Sequence, residues 1–180
     1  MQNELVNDTG DATFMRIALE EAQMAALEGE IPVGAVLVHR GQVVARTHNH
    51  VERDRRGYAH AEFLAIQEAT ERLGMWRLDE CVLYVTKEPC PMCAGAMVNS
   101  RLPRLVFGCG DERAGGAGGA LAVTSMPGCI HRVSVTSGVL ADDCLALILD
   151  FFKRRRLESR QARQQSKEAI AKGQTDSGEQ

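Results

Sequence analysis

Three six-residue runs rich in β-branched and aromatic residues constrain this chain most: Val33–Val38 (VGAVLV), Cys81–Thr86 (CVLYVT) and Arg104–Cys109 (RLVFGC). Short runs of this kind read as buried strands. Between and around them, apolar residues recur at helical spacing. Phe14, Ile17, Ala18, Ala22 and Ala25 mark a helix over Thr13–Glu28, stopped by Gly29 and Pro32. Ala61, Leu64, Ala65 and Ala69 mark another over His60–Leu73, ended by Gly74. Pro91–Ser100 reads as a short helix, and Asp142 to about Gln164 as a long one. Arg40-Gly41 is a turn, after which Val43–Thr47 returns as the second strand of a hairpin; Val133–Thr136 is a fifth, short strand. His48–Tyr58 and the stretch 108–119, with six glycines in twelve positions, read as loops. Strands alternating with helices predict an α/β fold, a three-layer α/β/α sandwich around a central five-stranded sheet. The hairpin makes that sheet mixed.

Cys90-Pro91-Met92-Cys93 is a C-x-x-C where a strand meets a helix. Alone it is either half of a zinc site or a redox dithiol of the thioredoxin arrangement. Thirty residues earlier, His60-Ala61-Glu62 stands where a loop enters another helix. One imidazole and two thiolates make a three-ligand zinc site with an open fourth position, and the pKa of water there falls toward ~7. Residues i and i+2 do not share a helix face, so His60 and Glu62 converge on one ion only if the helix end points at it; the same holds for Cys90 and Cys93. Two helix N-termini aimed at one point favour thiolates, hydroxide and a carboxylate. Glu62 then stands beside the activated water without ligating the metal, the place of a general acid/base. The joint pattern H-x-E…P-C-x-x-C is that of zinc-dependent nucleobase deaminases. A redox protein or a non-catalytic zinc module would leave Glu62 without a task. Cys81 and Cys144, inside apolar runs, read as small core residues.

Charge is unevenly spread. Residues 151–172 hold eight Lys or Arg against two Glu, a local charge of +6, while the chain totals −3 and the remainder −9. An acidic body with one basic segment suits a chain that meets a polyanion at one place, although a solvated helical face would look alike. Nothing approaches the length of a membrane span, and MQNELVNDTGDA lacks the basic and apolar regions of a signal peptide. A cytoplasmic, reducing setting is therefore expected, with no membrane partner.

The sequence resembles the bacterial tRNA adenosine deaminases, of the cytidine deaminase-like zinc deaminase family, over residues 13–157. The resemblance rests on IPVGAVLV, His60-Ala61-Glu62 with FLAI, Glu88-Pro89-Cys90 through PMCAGAM, RLVFG, Asp111, PGCIHRV and the terminal DFFKRRR. It implies a cytidine deaminase-like fold and conversion of adenosine to inosine at the wobble position of the tRNA anticodon. It also implies one Zn2+ per subunit held by His60, Cys90 and Cys93, Glu62 as proton shuttle, a homodimer, and no organic cofactor. By the same resemblance Asn49 bonds the target nucleoside, Pro32, Val33 and Ala61 line the base pocket, and Asp111 contacts the substrate strand. Phe152, Arg154 and Arg155 would meet the anticodon stem-loop. The expected organisation is an N-terminal mobile tail (1–11), a zinc deaminase domain with a basic C-terminal helix (12–158), and a polar, disordered tail (159–180).

The chain departs from the family pattern at Arg56-Gly57-Tyr58, which precedes Ala59-His60, and at Gly110. Both leave open the same chemistry on a free base or nucleoside such as guanine, cytosine or cytidine. Read as residues alone, Asn49 in a loop is more often a turn residue than a ligand, and Asp111 before a glycine-rich run is a candidate turn cap. His48, His50 and His131 read as surface residues, and Gly108-x-Gly110 is a poor dinucleotide loop because Arg113 takes the third glycine's place.

Overall fold

The computed structural model describes the backbone over residues 8–175 and side chains over 10–166; the outermost parts of both expected tails lie outside these residues. The elements are α1 (Asp8–Leu27), β1 (Gly34–His39), β2 (Gln42–His48), α2 (Val51–Asp54), α3 (Ala61–Leu73), β3 (Cys81–Lys87), α4 (Pro91–Asn99), β4 (Arg104–Cys109), β5 (Ser134–Ser137) and α5 (Ala141–Thr175). The five strands form one mixed sheet in the order β2-β1-β3-β4-β5. β1 runs antiparallel to β2 and β3, while β3, β4 and β5 are parallel.

Strand alternation sorts the core into two layers. Ala35 and Leu37 of β1, Leu83 and Val85 of β3, and Leu105 and Phe107 of β4 face Ala61, Ala65 and Ala69 of α3 and Cys93 and Met97 of α4. Val36 and Val38, Tyr84, and Val106 face Met15 and Ala18 of α1 and Cys144 and Ile148 at the start of α5. The small α1 residues permit a very close approach: a Cβ on Gly34 would stand 2.0 Å from the Ala18 carbonyl oxygen. Cys81 and Cys144 are core residues, each 1% exposed.

Contacts divide the chain into two units, Met1–Ile148 and Leu149–Gln180. Helix α1 begins at Asp8, inside the stretch expected to be a tail. Asp11 there is buried; its carboxylate accepts bonds from the Arg104 guanidinium at 2.6 and 3.0 Å and from the Tyr84 hydroxyl at 2.9 Å. Helix α5 runs to Thr175, past the expected end near Gln164, through a stretch rich in the helix formers Arg, Gln, Lys and Ala. The 48–58 loop contains a helical turn, α2, that spacing did not indicate. Its cause is tertiary: Glu30, 2% exposed, accepts the Arg53 N–H at 2.9 Å.

Candidate metal centre and active site

His60 is the N-cap of α3 and Cys90 that of α4; both have extended backbone, and Pro91 opens the second helix. Their carbonyls begin the helical ladders, to Leu64 N–H at 3.0 Å and Ala94 N–H at 2.9 Å, leaving the side chains to point off the helix ends. The two ends converge. His60 Nδ1 lies 3.6 Å from both Cys90 Sγ and Cys93 Sγ. A tetrahedral zinc with usual Zn–N and Zn–S lengths sets its nitrogen and sulfur ligands about 3.6 Å apart. The three ligand atoms lie within 4.8 Å of one another, so the donor set and its spacing fit that ion.

Glu62, in the first turn of α3, is 4% exposed. Burial pushes its carboxyl pKa up, which suits a group that must both take and return protons. The hydrogen bond from Cys93 pulls the Cys90 thiol down to about 3, with His60 adding to the effect; Cys93, the donor and more deeply buried, is driven up. The Cys90 sulfur raises the pKa of His60.

Asn49 is buried and already engaged. Its side-chain oxygen accepts the Ala61 N–H at 3.0 Å, its Nδ2 donates to the Ile31 carbonyl at 3.2 Å, and its own N–H bonds the Val33 carbonyl at 3.1 Å. One amide thus clamps the buried Pro32-Val33 turn to the start of α3. An amide has four bonding sites, so one donor and one lone pair are left over. Asn49, Pro32, Val33 and Ala61, read separately from the sequence, form one constellation beside His60.

Asp111 behaves as a turn cap: its Oδ1 accepts the N–H groups of Arg113 and Ala114, both at 3.0 Å, and its Oδ2 pairs with Lys87. The glycine-rich loop has a cause that sequence reading missed. Glu88, 4% exposed at the end of β3, accepts the N–H groups of Asp111 (2.8 Å), Ala117 (3.0 Å) and Gly119 (2.9 Å). A Cβ on Gly115 would lie 2.2 Å from the Glu88 carboxyl carbon, and one on Gly116 2.9 Å from Pro91. The glycines therefore let backbone wrap a buried carboxylate of the chain itself and lie on the Cys90-Pro91 link. No local signal joins them, because α4 and β4 separate Glu88 from the glycines in sequence. His48, His50 and His131 are half-buried rather than surface residues, each with a bonded partner.

In the Leu149–Gln180 unit, Phe151 is buried and Phe152 exposed. Phe152, Arg155, Arg156, Ser159, Arg160 and Arg163 line one shallow hollow. Arg154 pairs with Asp150 one turn earlier, at 3.1 Å.

The model of the MafB19-like deaminase family matches residues 9–156. A tRNA-specific adenosine deaminase of Bacillus subtilis (strain 168) is 44% identical over 155 residues, 86% of this chain and 96% of that protein. A structure from a study of A-to-I editing by tRNA:A34 deaminases at the wobble position of transfer RNA is 40% identical, with a TM-score of 0.73 over 75% of this chain and 98% of that one. A guanine deaminase from Nitrosomonas europaea is 25% identical, with a TM-score of 0.66 over 78% of this chain and 83% of that one. With the H-x-E and P-C-x-x-C residues gathered at one point and likeness spanning almost the whole of the bacillary relative, the chain belongs to the tRNA-specific adenosine deaminase family of cytidine deaminase-like enzymes.

Proposed function

We propose that the protein is a zinc-dependent hydrolytic deaminase that converts adenosine to inosine at the wobble position of a tRNA anticodon. The observation that carries this reading is the convergence of His60, Cys90 and Cys93, with Glu62 buried beside them. Agreement with relatives named for that reaction supports it. The three residues would hold Zn2+, one per subunit, which when bound makes water nucleophilic near neutral pH. The chain's own residues do the rest. Glu62 takes one proton of the attacking water and delivers it to ring nitrogen N1, then takes the second from the new C6 hydroxyl and passes it to the exocyclic nitrogen, which leaves as ammonia as the C6 carbonyl forms. Asn49 holds the Pro32-Val33 turn against Ala61 and keeps one donor and one acceptor for the nucleoside. Asp111 stands ready for the substrate strand once Lys87 yields it, and Phe152, Arg154 and Arg155 supply a stacking face and cations for the anticodon stem-loop.

The six cysteines are all free thiols, and no helix among the described residues is long and apolar enough to cross a membrane. Both fit our placement of the enzyme in the cytoplasm. We infer a homodimer from family membership, to be checked by light scattering. The deciding experiment incubates purified protein with a tRNA pool and analyses nucleosides for inosine, with free adenosine, cytidine and guanine alongside. Inosine at the wobble base is expected. Turnover of a free base or nucleoside, with none of tRNA, overturns the substrate assignment while keeping the chemistry.

A further inference from the structure

A second group of metal-ligating side chains lies outside the His60–Cys90–Cys93 centre. Glu28 just after α1, His48 at the end of β2 and His50 before α2 place a carboxylate oxygen and two ring nitrogens within 4.8 Å of one another. Both Nε2 atoms are buried and lack a hydrogen-bond partner. Glu28 Oε2 stands 3.5 Å from His48 Nε2, in ion-pair reach without hydrogen-bond geometry. The far side of His48 is already held: Nδ1 lies 3.0 Å from Glu21 Oε2. A carboxylate on Nδ1 keeps the proton there and leaves the Nε2 lone pair bare, the arrangement that orients metal-bound histidines.

His50 is set the other way. The Arg53 guanidinium donates to its Nδ1 at 2.7 Å, so a neutral ring carries its proton on Nε2. Arg53 also stands 3.7 Å from Glu28 Oε2 and 3.0 Å from Asp54 Oδ1. This half-exposed guanidinium is the cation now facing the cluster. Two buried nitrogens, a carboxylate open to solvent on one side, and a replaceable cation are what an ion entering from solvent requires.

We propose that Glu28, His48 and His50 form a second divalent-metal site for an ion that accepts imidazole and carboxylate ligands, such as Zn2+, with Arg53 as the competing cation. On binding, the ion displaces Arg53 from the cluster, and Arg53 is left to Asp54. The site does not depend on the deaminase reading. It ties residue 28 to the two sequence neighbours of Asn49.

The test uses full-length protein carrying its measured zinc complement, titrated with Co2+ and followed by calorimetry and visible absorption. One further equivalent should bind without the intense thiolate-to-cobalt charge-transfer absorption of a cysteine site. His50→Ala and Glu28→Gln should each abolish it; Glu28 is surface-accessible, so that variant reports even where His50→Ala perturbs folding. Arg53→Gln removes a unit charge and should tighten binding at least about threefold. No added equivalent in the parent protein overturns the site, as does an added equivalent that survives Glu28→Gln. Unchanged or weaker binding in Arg53→Gln overturns the competitor assignment.

Discussion

Glu62 and Glu88 are both buried carboxylates, and their surroundings divide their roles. Glu62 stands at a helix start beside the metal-ligand group, with its pKa raised by burial. Glu62→Gln should retain zinc, measured by elemental analysis, while kcat falls by at least about 10²–10⁴, the usual worth of a general acid/base; loss of zinc instead would make Glu62 a ligand. Glu88 accepts three backbone N–H groups from the glycine-rich loop. A buried donor left unpaired costs about 1–3 kcal/mol, so Glu88→Ala should lower unfolding free energy by at least about 2 kcal/mol in urea titration. Since Gly116 lies on the Cys90-Pro91 link, zinc should also leave that variant faster in a chelator assay. Equal stability and equal zinc release would mean the loop holds its shape without the carboxylate.

Among the elements, α1 is held to the sheet at its first turn by one charge pair. Arg104 bonds Asp11 and holds its carboxyl below the usual carboxylate range, against the opposing effect of burial. A depressed native pKa means that the unfolded chain binds the proton more readily. The stabilisation is therefore complete above about pH 4, the unfolded value, and is lost as pH falls through the native one. Asp11→Asn should lower the urea midpoint at pH 7, and the difference from the parent should shrink as pH falls below about 4. A difference that does not change with pH would show that Arg104 contributes no charge-dependent support.

At the scale of the whole molecule, the feature that distinguishes substrates is charge. The +6 of residues 151–172 sits in an otherwise acidic chain, and Arg155 and Arg156 have no ion-pair partner among the described residues. Changing Arg154, Arg155 and Arg156 together to Gln should weaken tRNA binding and flatten its dependence on log salt by about 0.7–0.9 for each phosphate contact removed. Zinc content and the single-turnover rate at saturating tRNA should be unchanged. An unaltered salt slope would make the run a solvated helix face and remove the charge argument for tRNA over a free base.

Sequence alone determined the periodic and the local. Strand and helix periods placed nine of the ten α-helices and strands among the described residues, because core-facing positions must recur with the geometry of the element that carries them. The C-x-x-C and H-x-E spacings nominated the metal ligands and Glu62, because ligand types are few and their local spacing is fixed. What only the tertiary structure decided are partnerships between residues far apart in the chain. Glu30 folds α2 from 23 residues away, and Asp11 reaches Arg104 across 93. Asn49 joins Ile31 to Ala61, and Glu88 turns a run of glycines into a shaped loop. His48 and His50 looked like surface residues until α1 brought Glu21 and Glu28 beside them. Each of these is a polar group whose burial is tolerable only with its partner in place, and no local pattern encodes where that partner will be.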